Sequence, residues 1–366
     1  MYLDMNHLIE LARARVNHGH ARPGYSELLD ATRRAGREQR AVFPLSGQHL
    51  SEVSVVKNPR QRRDVADVME ELSGFNYLLG RPEIAQLEVE AGIEDIFGEP
   101  WHPVGLPLVR ATFGHAFGIC GGMSIRNADG SDGADAARRD MGEDEYDRFI
   151  RSANHTVERA MLDGPSDEEV PVLRAQYGYA PEKSREGSDS RLAFELALTE
   201  WLAKNPRWRH GRLRDVVSAR EVAHEWLDAI NRVNEDRARR AKRQLDRDDD
   251  TRRLLAAMPH SQVAISIKTH YHRNPKHKWE TNDITDIDAA SVAYAYCDAV
   301  FTDKAVRAAL ANATELRPFG TYLPRTPQDL SAWLDDLPSL AVPDMLLPAS
   351  SAASLRAQRL RSRRGQ

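Results

Sequence analysis

Cysteine is scarce in this sequence, and long apolar runs are absent. Only Cys120 and Cys297 occur among 366 residues, and neither has a partner at metal-ligand spacing, which argues against a disulfide framework and a structural zinc knuckle. The N-terminal residues MYLDMNHL lack the basic stretch and long apolar segment of an export signal. No other apolar run approaches the length that spans a bilayer. The sequence therefore predicts a cytoplasmic protein that is not exported and does not enter a membrane.

An overall basic excess is also lacking. The chain has 51 Lys and Arg against 55 Asp and Glu, a formal net charge of −4, which is not the whole-domain signature of a polyanion binder. Two local stretches are basic: KTHYHRNPKHK at 268–278, and the arginine-rich tail after Ser354. The histidines of the first stretch lack the spacing of a zinc site. Its candidate contacts to nucleic-acid phosphates are Lys268, His272, Arg273 and Lys278, with a solvated loop as the alternative.

The remaining composition is that of a folded chain, with 41% hydrophobic and 29% charged residues. The length predicts two domains, or one domain with a large insertion. Near both ends, short strand-like segments alternate with amphipathic helical segments, which favours an α/β fold with a parallel sheet and helices on both faces. We therefore expect a three-layer α/β/α domain formed by 1–75 and 259–345, a mainly helical insertion or lid over 76–258, and a basic, disordered tail over 346–366.

Four strand-like segments define the expected sheet: one that ends at Asp4, and those at 41–45, 298–302 and 319–323. Ser46 is a favourable N-cap for the helix after the second segment. Further helices are predicted over 261–270, 285–296 and 326–337, and from Lys304 onward.

Acidic residues lie where ligands bind in such folds, beyond the carboxyl ends of parallel strands. Asp4 closes the first strand and Asp303 closes the strand AVFTD, so adjacent placement of these strands would bring both carboxylates together. Glu52 lies in the second turn of the helix that Ser46 caps. Taken singly, each of these acids has an alternative role as a helix cap or turn residue.

A third aspartate begins a stripe of small side chains on the helix predicted over 285–296. The stripe runs from Asp286 to Cys297 with spacings of four, three and four residues, which lets the helix approach the sheet closely. Asp288 lies about 200° around the helix from Asp286, so the two are not expected to share an ion. Asp286 is preferred, and Asp283 and Asp288 remain alternatives.

Converging carboxylates repel one another and raise each other's pKa values unless a cation neutralises them. Mg²⁺ and Mn²⁺ meet this requirement because they prefer hard oxygen ligands and retain bound waters. Such an ion activates a water and stabilises charge on a phosphate under in-line attack. The sequence therefore predicts hydrolysis of phosphodiester bonds at a metal site that includes Asp4, Asp286 and Asp303.

Four segments resemble motifs of PIN-like nucleases: YLDMNHL, SGQHLSEV, NDITDIDAASVAYA and VFTD. The stretch KWETNDITDIDAASVAYAYCDAVFTDK is especially similar to the late motif block of uncharacterised bacterial PIN-like proteins. The resemblance covers 1–75 and the chain from about 260 onward, and it does not extend to the middle of the sequence.

The resemblance implies a PIN-like α/β/α fold. It also implies that the catalytic residues and metal ligands are Asp4, Glu52, Asp286 and Asp303. Asn6 and Thr302 match positions that support the site through hydrogen bonds in that family. The crowding of Asp283, Asp286 and Asp288 departs from the family pattern and leaves the third ligand open. The long insertion leaves the substrate open.

Because members of this family are mostly ribonucleases, including bacterial toxins, the resemblance implies an endoribonuclease that uses Mg²⁺ or Mn²⁺. Flap-type relatives cut DNA. Because ribonucleases are the majority of the family, we expect RNA to be preferred over DNA as the bound nucleic acid. Two alternatives remain open. One is a catalytically silent PIN-like interaction module, and the other is a toxin–antitoxin or defence effector nuclease restrained by an inhibitory protein partner or by its own insertion. A homo-oligomer is compatible with each.

Overall fold

Helices dominate the computed structural model, which describes residues 1–16, 21–99, 107–119, 122–245 and 248–338. Helices account for 70% of the structure and strands for 5%. Cys120 and the tail predicted over 346–366 lie outside the described residues. No helix within the described ranges is both long enough and apolar enough to cross a membrane.

The α-helices of the described ranges fall into three consecutive groups. The first group is α1 (Met5–Val16), α2 (Tyr25–Arg37), α3 (Gly47–Ser54), α4 (Pro59–Ser73) and α5 (Arg81–Phe97). The second is α6 (Ala134–Met141), α7 (Glu143–Asp163), α8 (Val170–Tyr177), α9 (Glu186–Lys204), α10 (Leu213–Glu221), α11 (Leu227–Arg239) and α12 (Asp248–Ala257). The third is α13 (Pro259–Arg273), α14 (Thr281–Tyr296), α15 (Lys304–Asn312) and α16 (Pro327–Asp335).

Strands are few and short in the described residues: β1 (Tyr2–Leu3), β2 (Asn76–Leu78), β3 (Val109–Ala111) and β4 (Val300–Phe301). β1 pairs with β4 in parallel, with Tyr2 opposite Val300 and Leu3 opposite Phe301. β2 and β3 form a separate antiparallel pair. The predicted PIN-like three-layer α/β/α fold with a central parallel sheet is therefore wrong, and the protein is mostly helical.

Local chemistry explains why two of the predicted strands do not form. The segment at 41–45 contributes only an isolated parallel bridge between Leu45 and Tyr77, because Pro44 has no N–H to donate to a ladder. The segment at 319–323 contributes only a bridge between Tyr322 and Ala299. Its residue Gly320 has φ of 67°, which lies outside the β region.

Capping residues fix where the helices near the site begin. Ser46 caps α3 as predicted, accepting from the His49 N–H in a capping box. α14 begins four residues earlier than predicted, because Glu280 and Asp283 form a capping box ahead of it. α13 is longer than the predicted 261–270 helix at both ends.

Apolar side chains form three clusters in the described residues. One cluster joins β1 and β4 to α13 and α14, including Ile267 and Ile287. The second joins α1 to α4 with α16, around fully buried leucines such as Leu11 and Leu28. The third packs α9 to α12 against α5, around Trp226. The first two clusters meet along β1 and β4, so the ends of these strands lie between two packed helical layers.

Candidate functional site

The parallel pairing of β1 with β4 brings Asp4 and Asp303 together. The Asp4 N–H donates to the Phe301 carbonyl at 2.9 Å, and each aspartate precedes a helix, α1 or α15 respectively. The Asp303 Oδ1 atom accepts from the N–H groups of Ala305 and, at 3.0 Å, Val306. Oδ2 takes no part in these capping bonds, so capping leaves one Asp303 oxygen for another ligand.

Asp4 is buried, with 9% of its surface exposed, and the Thr302 hydroxyl holds its carboxylate. Thr302 Oγ1 donates to Asp4 Oδ2 at 3.1 Å. Burial raises the pKa of Asp4, the Thr302 hydrogen bond opposes that increase, and the charge of Asp303 adds to it. The backbone N–H groups of Asp303 and Asn6 also stabilise the charged form. Thr302 therefore has the supporting position that the sequence predicted, while Asn6 is exposed and contributes through its backbone.

The buried imidazole of His49 fixes α3, the helix that carries Glu52, against β1. His49 Nε2 donates to the Leu3 carbonyl at 2.8 Å, and its Nδ1 accepts from the Ser46 N–H at 3.1 Å. Burial lowers the pKa of His49 to about 4, so the ring is neutral and ties α3 to β1. His49 and Glu52 are three residues apart and share a helix face. Burial, followed by the charge of Asp4, raises the pKa of Glu52 to about 8.

Asp286 completes the acidic cluster, which we define as Asp4, Glu52, Asp286 and Asp303. It lies in the second turn of α14, which packs against both α3 and β4, and its Oδ2 accepts from the Asn282 amide at 3.1 Å. Burial raises the pKa of Asp286 to about 8, with further increases from Asp4, Asp303, Glu52 and Asp283 in that order. The charges of the three other cluster members thus all act on Asp286.

The side chains of the acidic cluster lie near one another, but they do not converge on a single point. In the described part of the chain, no three His, Cys, Asp or Glu side chains have the mutual positions of a ready metal-ligand set. Burial is the main cause of the raised pKa values of Glu52 and Asp286, and the charges of the neighbouring acids add to it. The acidic cluster is therefore a region where protons or cations are favoured.

The two alternative third ligands have different surroundings. Asp283 caps α14, where its Oδ2 accepts from the Glu280 N–H at 2.8 Å, and His277 Nε2 lies 3.3 Å from the same oxygen. Asp288 is ion-paired with Arg81, at 3.2 Å, and with Arg191. Burial alone would raise the pKa of Asp288, but these two cations outweigh it and lower the pKa to about 2. The carboxylate of Asp288 is therefore already occupied by two arginines. Asp283 lies at the edge of the acidic cluster.

Two of the predicted phosphate contacts are buried and already neutralised. Lys268 Nζ lies 2.7 Å from Glu221 Oε2 and 3.1 Å from Glu195 Oε1. His272 Nε2 contacts Glu195 Oε2 at 2.7 Å. Both side chains have less than a tenth of their surface exposed. Both side chains connect neighbouring helices and do not face a substrate, because their charge partners are glutamates that lie far away in the sequence.

Arg273 and Lys278 differ from those two residues in being exposed. They flank the loop after α13, which reaches the acidic cluster at the contact between His277 and Asp283. These two basic side chains remain candidates for contacts with phosphates.

Three aromatic residues that the sequence reasoning did not select line the acidic cluster. Burial raises the pKa of Tyr2, with further increases from Asp4 and Glu52, and burial with Asp303 raises that of Tyr271. The His7 ring stacks on Phe301, with centroids 3.6 Å apart. The period-two alternation of strands indicates that Tyr2 shares a face with Asp4, and this signal was available in the sequence. Nothing in the sequence indicated that Tyr271, which belongs to α13, lies near the acidic cluster.

Replacing Thr302 with valine is expected to weaken binding of Mg²⁺ or Mn²⁺ by about 10- to 100-fold, because the residue orients Asp4 through its hydroxyl. Valine keeps the side-chain shape, and Thr302→Ser keeps the hydroxyl as the matched control. Calorimetric metal titration of the two variants measures the difference. Equal affinities for the valine and serine variants would show that the hydroxyl has no role in the site.

Magnesium is expected to stabilise the protein more at about pH 8.5 than at about pH 6. Because the folded-state pKa values of Glu52 and Asp286 are raised to about 8, the metal-free protein loses stability as pH rises from about 4 to 8. A cation must displace these protons, so its affinity increases with pH. At a hundredfold excess over Kd, the melting temperature should rise by about 3–4 °C at the higher pH.

Thermal unfolding with and without Mg²⁺ at both pH values measures this dependence, with Asp286→Asn as the control that removes one of the two protonated groups. A magnesium shift that is larger at the lower pH would contradict the expected competition between protons and cation.

Comparison of the chain with protein-family models, with curated proteins and with solved structures found no match.

Proposed function

We propose that this protein is a metal-dependent nuclease that hydrolyses phosphodiester bonds, with RNA preferred over DNA. The observation that carries the proposal is the convergence of Asp4, Glu52, Asp286 and Asp303 from widely separated segments. It results from the pairing of β1 with β4, the hydrogen bond from α3 to β1, and the packing of α14 against α3 and β4. Helix capping explains one oxygen of Asp303 but does not require one buried and three half-buried carboxylates near one another. Strongly perturbed carboxylates that converge in this way are typical of functional sites.

The donor chemistry of the acidic cluster fits Mg²⁺ or Mn²⁺. Its side chains offer carboxylate oxygens, the ligands that these hard cations prefer, and their repulsion is the cost that a cation would relieve. Asp4, Asp286 and Asp303 would hold the ion, with Glu52 as a further ligand or as the base. When bound, such an ion supplies a water of lowered pKa and stabilises negative charge on the phosphate.

The chain's own groups contribute orientation, proton transfer and attraction for the phosphate. Thr302 holds the Asp4 carboxylate in one rotamer. Glu52 has its pKa raised to about 8 in the metal-free protein, and once a cation has displaced its proton it is suited to accept a proton from a water. The N-termini of α1 and α15 both begin at the acidic cluster, and the positive ends of their helix dipoles favour a negatively charged group there.

Substrate approach is the role proposed for the exposed cations near Asp283. Arg273 and Lys278 are exposed and would contact phosphates beside the scissile bond, which adds affinity without base specificity. Replacement of both by alanine would weaken binding of every sequence to a similar extent and reduce its salt dependence.

A cleavage assay tests the proposal with structured RNA, single-stranded DNA and duplex DNA, each in Mg²⁺, Mn²⁺ or chelator. The expected result is cleavage of RNA that requires the metal and is lost in Asp4→Asn. The proposal is wrong if no substrate is cut with either ion, or if Asp4→Asn cuts at the wild-type rate. Cleavage of DNA alone would overturn the preference for RNA and retain the reaction.

A further inference from the structure

A cavity of about 270 Å³ lies beside the acidic cluster. Its walls come from β1, α3, the start of α5, α14 and the 3-10 helix Phe113–Phe117. The volume is near the lower end of the range of about 300–1,000 Å³ for small-molecule pockets, so it suits a single ring system better than a long ligand.

The cavity and the acidic cluster share a wall. Tyr2 lines the cavity and, by the period-two alternation of β1, shares a face with Asp4. Ser51 lines the cavity and is the residue before Glu52 on α3. A group in this cavity would therefore contact the same elements, β1 and α3, that place Asp4 and Glu52.

The charges at the cavity cancel. Asp288 lines it, but its carboxylate is paired with Arg81 and Arg191, and both arginines also pair with Glu225. The remaining polar lining includes the amide of Gln48, which makes no hydrogen bond to another described residue. An uncompensated phosphate or metal cation would find no counter-charge here, whereas a neutral group with hydrogen-bonding edges would find a donor and an acceptor.

Apolar and aromatic surfaces complete the lining. Leu79 and Val292 form part of the wall, and the ring of Phe117 stands at the cavity with 49% of its surface exposed. The turn that carries Phe117 packs closely on the start of α5, because a Cβ at Gly80 would lie 2.7 Å from the Ala116 carbonyl oxygen. An exposed aromatic face next to an unpaired amide is the combination by which proteins bind an unstacked nucleobase.

We propose that this cavity is a base-binding subsite, which receives the nucleobase of the nucleotide next to the phosphodiester at the acidic cluster. This inference rests on the proposed nuclease function for the identity of the ligand. Phe117 stacks on the base, and Gln48 hydrogen-bonds to its edge and sets which bases are preferred.

Calorimetric titration of the full chain with AMP, GMP, CMP and UMP, and with ribose 5-phosphate as the ligand without a base, tests the inference. At least one nucleotide should bind about tenfold or more tightly than ribose 5-phosphate. Phe117→Ala should weaken that binding by about 5- to 100-fold, as expected for the loss of one stacking contact. Gln48→Ala should reduce the differences among the four nucleotides.

Phe149→Ala is the matched control, because Phe149 is exposed to a similar extent, 48%, on α7 and does not line the cavity. The inference fails if nucleotides bind no better than ribose 5-phosphate, or if Phe117→Ala behaves like Phe149→Ala. Base-dependent binding without any cleavage would overturn the proposed nuclease and keep the subsite. Metal-dependent cleavage that is indifferent to Phe117 and Gln48 would overturn only the subsite.

Discussion

Asparagine in place of Asp286 is expected to lower cleavage by on the order of a thousandfold, and to stabilise the metal-free protein. The loss follows because Asp286 lies under the influence of all three other carboxylates of the acidic cluster and would be a principal metal ligand. The gain in stability follows because a neutral amide removes the group that the cluster repels most. At about pH 8.5, the metal-free free energy of unfolding should increase by at least about 1 kcal/mol.

Rates from single-turnover cleavage and free energies from chemical denaturation measure the two effects. Asp283→Asn separates the alternatives for the third ligand, because Asp283 is a helix cap at the edge of the acidic cluster and should retain most of the activity. Asp30→Asn, an exposed site on α2, controls for loss of a carboxylate as such. If Asp286→Asn cleaved at the wild-type rate and Asp283→Asn did not, the assignment of the third ligand would be reversed.

Methionine in place of Lys268 is expected to reduce the free energy of unfolding by about 3–5 kcal/mol, without reducing metal affinity in the folded protein. Lys268 is the buried cation between Glu195 and Glu221, and loss of one partner leaves the other buried charges uncompensated. Burial opposes its charged form, but Glu221, Glu195 and Glu225 outweigh burial and raise the pKa of Lys268. It is therefore charged at all physiological pH values.

Lys278→Met is the matched control, because Lys278 is exposed on the same basic stretch and should change stability by no more than about 0.5 kcal/mol. If Lys268→Met alone does not fold, the double variant with Glu221→Gln should recover part of the loss, since it removes the unpaired carboxylate. A Lys268→Met protein as stable as the control would show that the buried ion pairs contribute nothing to the fold.

The position of the acids was predictable from the sequence because it depends on local patterns. A short apolar segment followed by an aspartate and a helix specifies where Asp4 and Asp303 stand, and the parallel pairing of β1 with β4 brings them together. Glu52 follows from the N-cap at Ser46, which determines where α3 begins and so which of its residues face β1.

The fold class was not predictable in the same way, because it depends on how many residues pair along each strand. Apolar segments such as 41–45 satisfy the pattern of a buried strand, yet Pro44 and the short run limit pairing to one bridge. The helices then bury most of the apolar surface, in clusters that join distant parts of the chain. The periodicity of apolar residues in a sequence indicates which face of a segment is buried. It does not indicate which other segment packs against that face or pairs with it.

The roles of Lys268 and Asp288 depended on partners that no local pattern reveals. Ile265, Lys268 and His272 follow the three- and four-residue spacing of one helix face, and that face is buried in α13. This spacing was a signal in the sequence that the side chain of Lys268 is buried in the protein interior. Its partners, Glu195 and Glu221, belong to α9 and α10 and become neighbours only in the folded chain.

Titration of Mg²⁺ or Mn²⁺ into the metal-free protein, followed by calorimetry in two buffers of different ionisation enthalpy, tests the central claim most directly. We expect one or two ions to bind with release of protons at about pH 7, because Glu52 and Asp286 hold protons there. The double variant Asp4→Asn, Asp286→Asn should show neither binding nor proton release. Identical titrations of the wild-type protein and the double variant would contradict the claim that these acids form a cation site.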